Sequence, residues 1–187
     1  MGTTCSFLAI SGSLRAHSTN TEVLHACAIL APPSVNVRIF DGLGELPHFN
    51  PDLDAEGAIL PPSVQQLRRK IGEADALIIS SPEYAHGVPG SLKNVLDWLV
   101  SAPEMVFKPI GLLNVSPRST HAYTSLAETL RTMSTTLVPE ALLELPLTRS
   151  MVTAEKIAAN PEIADRLQSA LTTLCTAGKQ YRQHSAG

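Results

Sequence analysis

Residues 6–30 read SFLAISGSLRAHSTNTEVLHACAIL, and three kinds of chain succeed one another within them. "SFLAIS" (6–11) is a short, nearly continuous apolar run, the pattern of a strand covered on both faces. Residues 19–30 carry apolar side chains at helical spacing. Between them the chain leaves the strand through Gly12 and passes small and hydroxyl-bearing residues around one fixed positive charge, Arg15. Ser18, Thr19 and Asn20 are N-cap candidates, and Thr19 and Glu22 stand in capping-box spacing. A helix starting there aims unpaired N–H groups and its positive dipole end at the loop. A phosphate fits such a pocket, with Arg15 able to close over it through two parallel hydrogen bonds. The loop lacks both G-x-x-x-x-G-K-[ST] and G-x-G-x-x-G, which leaves a single phosphate monoester as the anion. An ordinary strand-to-helix turn with a solvated Arg15 is the other reading that these residues allow.

The same unit recurs along the chain. "VNVRIF" (35–40), "ALIIS" (76–80), "PIGLLNV" (109–115) and a weaker "ALLELPL" (141–147) read as strands. Helical spacing covers 63–73, 90–101, 120–136 and about 160–181. This alternation predicts an α/β fold, a parallel sheet with helices on both faces, as one domain over residues 1–187. Ligands of such open sheets lie beyond the carboxyl ends of the strands, here the loops 12–20, 81–89 and 116–121. The irregular stretch 41–63 is long enough to be expected beside that site.

Composition narrows the partners. The chain has 187 residues, 44% hydrophobic and 17% charged, enough for a substantial core. A net charge of −3 gives no footprint for nucleic acid or an anionic membrane, and 4% aromatic residues leave few platforms for stacked bases. No apolar run approaches the roughly 18 residues that span a bilayer. The start lacks the pattern of a signal peptide. Cys5, Cys27 and Cys175 lie far apart, and read as buried or idle thiols suited to a reducing cytoplasm. There is no His/Cys set at metal-ligand spacing and no G-x-S-x-G, so neither a metal site nor a catalytic nucleophile is assigned.

"SSPEYAHGVPGSLKNVLDWLV" (80–100) is the most specific stretch. Pro82 and Pro89 stiffen a loop in which Gly87 and Gly90 let the backbone approach a ligand, and Tyr84 stands where a flat ring would face the cleft. The following helix buries Leu92, Val95, Leu96 and Leu99, with Trp98 against the core or a partner. Taken alone, His86 is an ordinary loop histidine. With "GSLRAHSTN", "LPHFNPDLD", "PPSVQQLRRKIGEADALIIS" and "LAETLRTM", this stretch resembles the NADPH-dependent FMN reductase family over residues 5 to about 145. That family includes bacterial quinone, azo-dye and chromate reductases.

The resemblance implies a flavodoxin-like three-layer sandwich whose five-stranded parallel sheet has the order 2-1-3-4-5. It implies FMN as cofactor and NADPH or NADH as co-substrate. Hydride would pass through FMN to a small-molecule acceptor, a flavin, quinone or azo compound. A cytoplasmic homodimer or tetramer is expected, with Trp98, Phe49, Leu53 and Leu60 as its apolar surface. By motif position, Ser13, Arg15, Ser18, Thr19 and Asn20 fall on the FMN phosphate. Pro82, Glu83, Tyr84, Ala85, His86 and Gly87 fall along the isoalloxazine, largely through backbone groups, and Ser116 opens a loop that flanks the same ring. Two departures stand out. Ala85 replaces the usual Asn after P-E-Y, removing an amide contact, and "SPRSTHAY" (116–123) brings Arg118 and His121 into a loop that is usually glycine-rich. The rival readings are a flavodoxin-type electron carrier and a flavin-free relative acting as regulator or scaffold.

Overall fold

In the computed structural model, which describes residues 4–116, 118, 120–148 and 151–185, five strands form one parallel sheet. They are β1 (Cys5–Ser11), β2 (Val35–Ile39), β3 (Ala76–Ser80), β4 (Pro109–Asn114) and β5 (Thr136–Glu144). Their order is β2-β1-β3-β4-β5, the flavodoxin-like arrangement expected. The helices are α1 (Thr19–Leu30), α2 (Pro62–Gly72), α3 (Gly90–Leu99), α4 (Thr120–Thr132), α5 (Ala154–Ala158) and α6 (Pro161–Ser185). Strand alternation sorts the core into two layers. Leu8, Ile10, Leu77, Ile79 and Leu112 pack with α2, α3 and α4. Phe7, Ala9, Ile78, Leu113 and Ala141 pack with α1, α5 and α6. The continuous apolar character of β1, β3 and β4 follows from this burial on both faces.

The last strand departs from the sequence-based expectation. Residues 120–136 predict a helix and 141–147 a strand, yet α4 ends at Thr132 and β5 already begins at Thr136. Ser134 adopts a left-handed φ of 57° and terminates α4 where a glycine would normally mark the stop. Between Ile110 and Leu112 the register with β5 shifts, so that Ile110 pairs with Leu137 but Leu112 with Leu142. Pro139, which cannot donate to a ladder, lies in this irregular stretch. The strand folds close over Gly111, where a Cβ would lie 3.1 Å from Ala141 Cβ and 2.9 Å from Leu174 Cδ1.

The thiol reading is corrected. Cys5 and Cys175 form a disulfide that joins the start of β1 to α6, with their Cα atoms 5.8 Å apart. Cys27 alone is the buried free thiol. A separation of 170 residues carries no pairing signal; only the completed sheet brings the two together. Arg182 of α6 adds a forked ion pair to Asp75, its Nε donating to Oδ1 at 2.7 Å and an Nη2 N–H to Oδ2. Within the sequence-based dimer surface, the placement of Trp98 is also corrected. Trp98 is fully buried, its Nε1 donating to Pro47 O at 2.8 Å and its ring meeting Phe49 edge-on at 5.0 Å. Phe49 and Leu60 are partly buried against the same core. Pro47 and Phe49 of the 41–63 stretch are thus held by Trp98, while Leu53 and Ile59 farther along it stay exposed.

Lys108 is fully buried at the end of the sheet remote from the strands' carboxyl termini. Its ammonium donates to Ile71 O at 3.0 Å and Ala74 O at 2.6 Å, closing the C-terminal end of α2, and lies over the Tyr181 ring. Burial pushes its pKa down from 10.5 to about 8, against the pull of Asp75 and Glu104. The unfolded chain therefore holds a proton that the folded one releases between about pH 8 and 10.5, and this group's contribution to stability rises with pH across that window. From pH 8 to 9 the gain relative to Lys108→Met is expected to be about 1 kcal/mol. Burial pushes the Cys27 thiol up from 9.0 to about 12, which acts in the opposite sense above pH 9. That slope is common to both proteins and cancels. Urea unfolding at the two pH values checks the difference; parallel pH profiles would contradict it.

Candidate functional site

The loops at the carboxyl ends of β1 and β3, with the start of α1 and the segment after β5, enclose a cleft of about 470 Å³, within the range of small-molecule sites. Two loops meet there because Gly12 has no Cβ. One built at that position would lie 2.5 Å from Ser81 Oγ and 3.0 Å from Leu92 Cδ2. The first loop is ordered by its own hydroxyls. Ser11 Oγ and Thr21 Oγ1 are 2.8 Å apart, the Ser13 N–H donates to Ser11 Oγ, and the Arg15 N–H donates to Ser13 Oγ. Ser18 is the N-cap of α1, yet its side chain makes no capping bond. The capping box expected of Thr19 and Glu22 is absent, since Glu22 Oε2 accepts the Ala154 N–H at 2.8 Å and ties α1 to α5. The hydroxyl and the dipole end of a twelve-residue helix thus remain available to a ligand.

Of the residues singled out from sequence, Ser13, Arg15, Ser18, Thr19, Asn20, Pro82 and Tyr84 line this cleft together. Asn20 is buried, and its Oδ1 accepts the Ser80 hydroxyl at 2.9 Å, so it also pins α1 to β3. The Tyr84 ring is half exposed, and Pro82 and Tyr84 give the cleft an apolar wall beside its polar floor. Glu83, Ala85, His86, Gly87 and Ser116 do not line it. Ser116 is half-buried and turns the chain after β4, its N–H donating to Asn114 Oδ1. In the loop that follows, Pro117 and Ser119 lie outside the described residues, and Arg118 is exposed. Three lining residues escaped the sequence-based reading: His17, Val152 and Thr153. His17 stood within the first loop without a motif to mark it. Val152 and Thr153 come from the segment after β5, and only tertiary structure brings them here.

The Ala85 departure acquires a different meaning from the loop's geometry. Tyr84–Gly87 is a tight turn, closed by Tyr84 N–H to Gly87 O at 3.1 Å and Gly87 N–H to Tyr84 O at 2.9 Å. Both central residues are left-handed, Ala85 at φ 50° and His86 at φ 61°. This conformation suits Asn better than Ala, so the family's Asn suits the turn itself, apart from any contact it makes. Glu83 links the turn to α4. Its Oε2 accepts the Ala122 N–H at 2.8 Å and its Oε1 lies 3.2 Å from His86 Nδ1. The Ala122 amide, with His86 and His121 nearby, holds the Glu83 carboxyl below its ordinary pKa.

Residues 5–145 match the family model described as NADPH-dependent FMN reductase. The chain belongs to this family. It is 40% identical over 111 residues to an NAD(P)H-dependent FMN reductase from Pseudomonas aeruginosa, a match spanning 58% of each chain. It is 36% identical over 101 residues to a quinone reductase from Escherichia coli, spanning 53% of each. The chain thus matches little more than half the length of these relatives. Among solved structures it resembles a flavoenzyme NAD(P)H:(acceptor) oxidoreductase from Paracoccus denitrificans. The TM-score is 0.77 at 24% identity, over 95% of this chain and 98% of that one, a likeness of fold. The wall formed by Val152 and Thr153 lies beyond the part that the family model matches.

Proposed function

We propose that the cleft binds FMN and that the protein is an NAD(P)H-dependent reductase of a flavin, quinone or azo acceptor. The carrying observation is the placement of Arg15 and the uncapped start of α1 in one cleft with Pro82 and Tyr84. That set fits the two ends of FMN, a charged phosphate and a flat aromatic ring system. Arg15, with Ser13, Ser18, Thr19 and the first N–H groups of α1, would hold the phosphate; Pro82 and Tyr84 would wall the ring. Bound FMN would supply the redox chemistry, accepting hydride from the nicotinamide and passing electrons to the acceptor. The protein's task is then to place two flat substrates in turn on one open face, and no side chain need act as nucleophile. Pairing through two identical chains, as a dimer or tetramer, is part of the reading. Leu53, Ile59, Val100 and Val106 are the exposed apolar groups that support it.

The chain is read as one domain working in the cytoplasm; the Cys5–Cys175 disulfide removes the thiol argument for that compartment, which then rests on the supply of reduced nicotinamides there. Among the described residues no helix is long and apolar enough to cross a membrane. The test is NADPH oxidation by the FMN-loaded protein with a quinone. Parallel double-reciprocal lines, at several fixed quinone concentrations, are expected of a site used alternately. FMN binding without NADPH oxidation would leave an electron carrier; no FMN binding at all would leave a scaffold.

A further inference from the structure

The Tyr84–Gly87 turn is built from residues that do not favour it. A two-residue turn with both central φ values positive is typically Asn-Gly, and here it is Ala85-His86. Something outside the turn must hold it. Three connections hold it, two of them to α4 and one within the loop. The Glu83 side chain is 10% exposed and accepts the Ala122 N–H, a first-turn amide that no carbonyl of α4 can reach. The same carboxylate accepts from His86 Nδ1 at 3.2 Å. The His86 ring meets the His121 ring edge to face, with centroids 4.4 Å apart at 75°. One carboxylate therefore caps α4 and restrains the turn at once, and the second histidine closes the contact from the α4 side.

We infer that Glu83, His86 and His121 are positioning residues, a clasp that holds the Tyr84–Gly87 turn in its left-handed form and so fixes the Tyr84 wall of the cleft. For the cleft's occupant this rests on the FMN reading; for the turn itself it does not. The clasp accounts for both departures of this chain together. Ala85 withdraws the turn's own conformational support, and His121, from the 116–123 stretch where the resemblance implies a glycine-rich loop, restores support from outside. The clasp and the turn sequence are thus alternative ways to reach one conformation, and removing one matters only where the other is missing.

The experiment is hydrogen exchange at the Tyr84, Gly87 and Ala122 amides of the flavin-free protein, alongside FMN titration. Glu83→Ala is expected to accelerate exchange at all three amides on the order of tenfold or more. His86→Ala should do so at Tyr84 and Gly87, leaving Ala122 largely protected. Glu83→Gln should keep most of the protection, since an amide oxygen can accept the Ala122 N–H while the amide N–H₂ donates to His86 Nδ1. Ala85→Asn combined with His86→Gly gives the turn its preferred sequence. In that background Glu83→Ala should accelerate Ala122 alone and leave FMN affinity unchanged, whereas in the parent chain it weakens FMN severalfold. Unchanged exchange at Tyr84 and Gly87 in Glu83→Ala would overturn the clasp, as would an equal acceleration of those two amides in both backgrounds. If no variant takes up FMN while the exchange pattern holds, the FMN reading fails and the clasp stands.

Discussion

Reduction of the Cys5–Cys175 disulfide, or its removal in Cys175→Ser, is expected to lower stability in urea unfolding by about 3–5 kcal/mol. The bond closes nearly the whole chain, 170 residues from the first strand to the last helix. Cross-linking removes most conformations of the unfolded state when the closed loop is long, and the loop-entropy relation gives about 5 kcal/mol at this length. The Arg182–Asp75 pair remains in the reduced protein to hold α6, so the fold should persist at reduced stability. A thiol count checks the premise. Unfolded without reductant, the protein should titrate one thiol, Cys27, and after reduction three. Three thiols before reduction, or an unchanged urea midpoint after it, would contradict the assignment.

Trp98→Ala is expected to cost about 3–5 kcal/mol, while Trp98→Phe should cost about 1–2 kcal/mol. Trp98 is one of the largest fully buried side chains, and it does more than fill volume. Its indole N–H satisfies Pro47 O, its ring makes a T-shaped contact with Phe49, and its own carbonyl accepts from Arg68 Nε at 3.2 Å and Nη2 at 2.6 Å. Arg68 in turn pairs with Asp54 at 2.8 Å, so both ends of the 47–54 segment are fixed through α3 and α2. Loss of the ring should release this segment to proteolysis before the rest of the chain unfolds. The alanine variant thus separates two roles for the residue. A loss below about 1 kcal/mol, accompanied by dissociation of an oligomer, would return Trp98 to an interface.

The order of elements was legible in the sequence because β1, β3 and β4 are buried on both faces and need continuous apolar runs. The first loop was legible for a related reason. Ser13, Arg15, Ser18 and Thr19 lie within a few residues of one another, so local chemistry and final position coincide. Where position depends on distant chain, the signal fails. Cys5 finds Cys175, and Val152 and Thr153 reach the cleft, only through the completed sheet. Lys108 reads as an ordinary charged residue, since nothing local announces that two carbonyls at the end of α2 await it. Ser134 ends α4 without the glycine that would have marked the stop, which moved the predicted strand five residues too late. Ala85 shows the reverse case. The departure itself was visible, but its meaning lay in a backbone angle that the sequence does not display.

The central claim is that the loop after β1 holds the phosphate of FMN, and comparing FMN with riboflavin tests it most directly. Arg15 is exposed at the cleft and its side chain is free to close over a phosphate. A charge-assisted pair of this kind contributes roughly 1.5–3 kcal/mol, which corresponds to about 10- to 100-fold in affinity. Calorimetric titration should therefore show FMN binding at least about tenfold tighter than riboflavin, which has the same ring system without the phosphate. Arg15→Ala should remove most of that difference by weakening FMN and leaving riboflavin almost unchanged. Equal affinity for the two flavins in the native protein, or an FMN affinity indifferent to Arg15→Ala, would contradict the account.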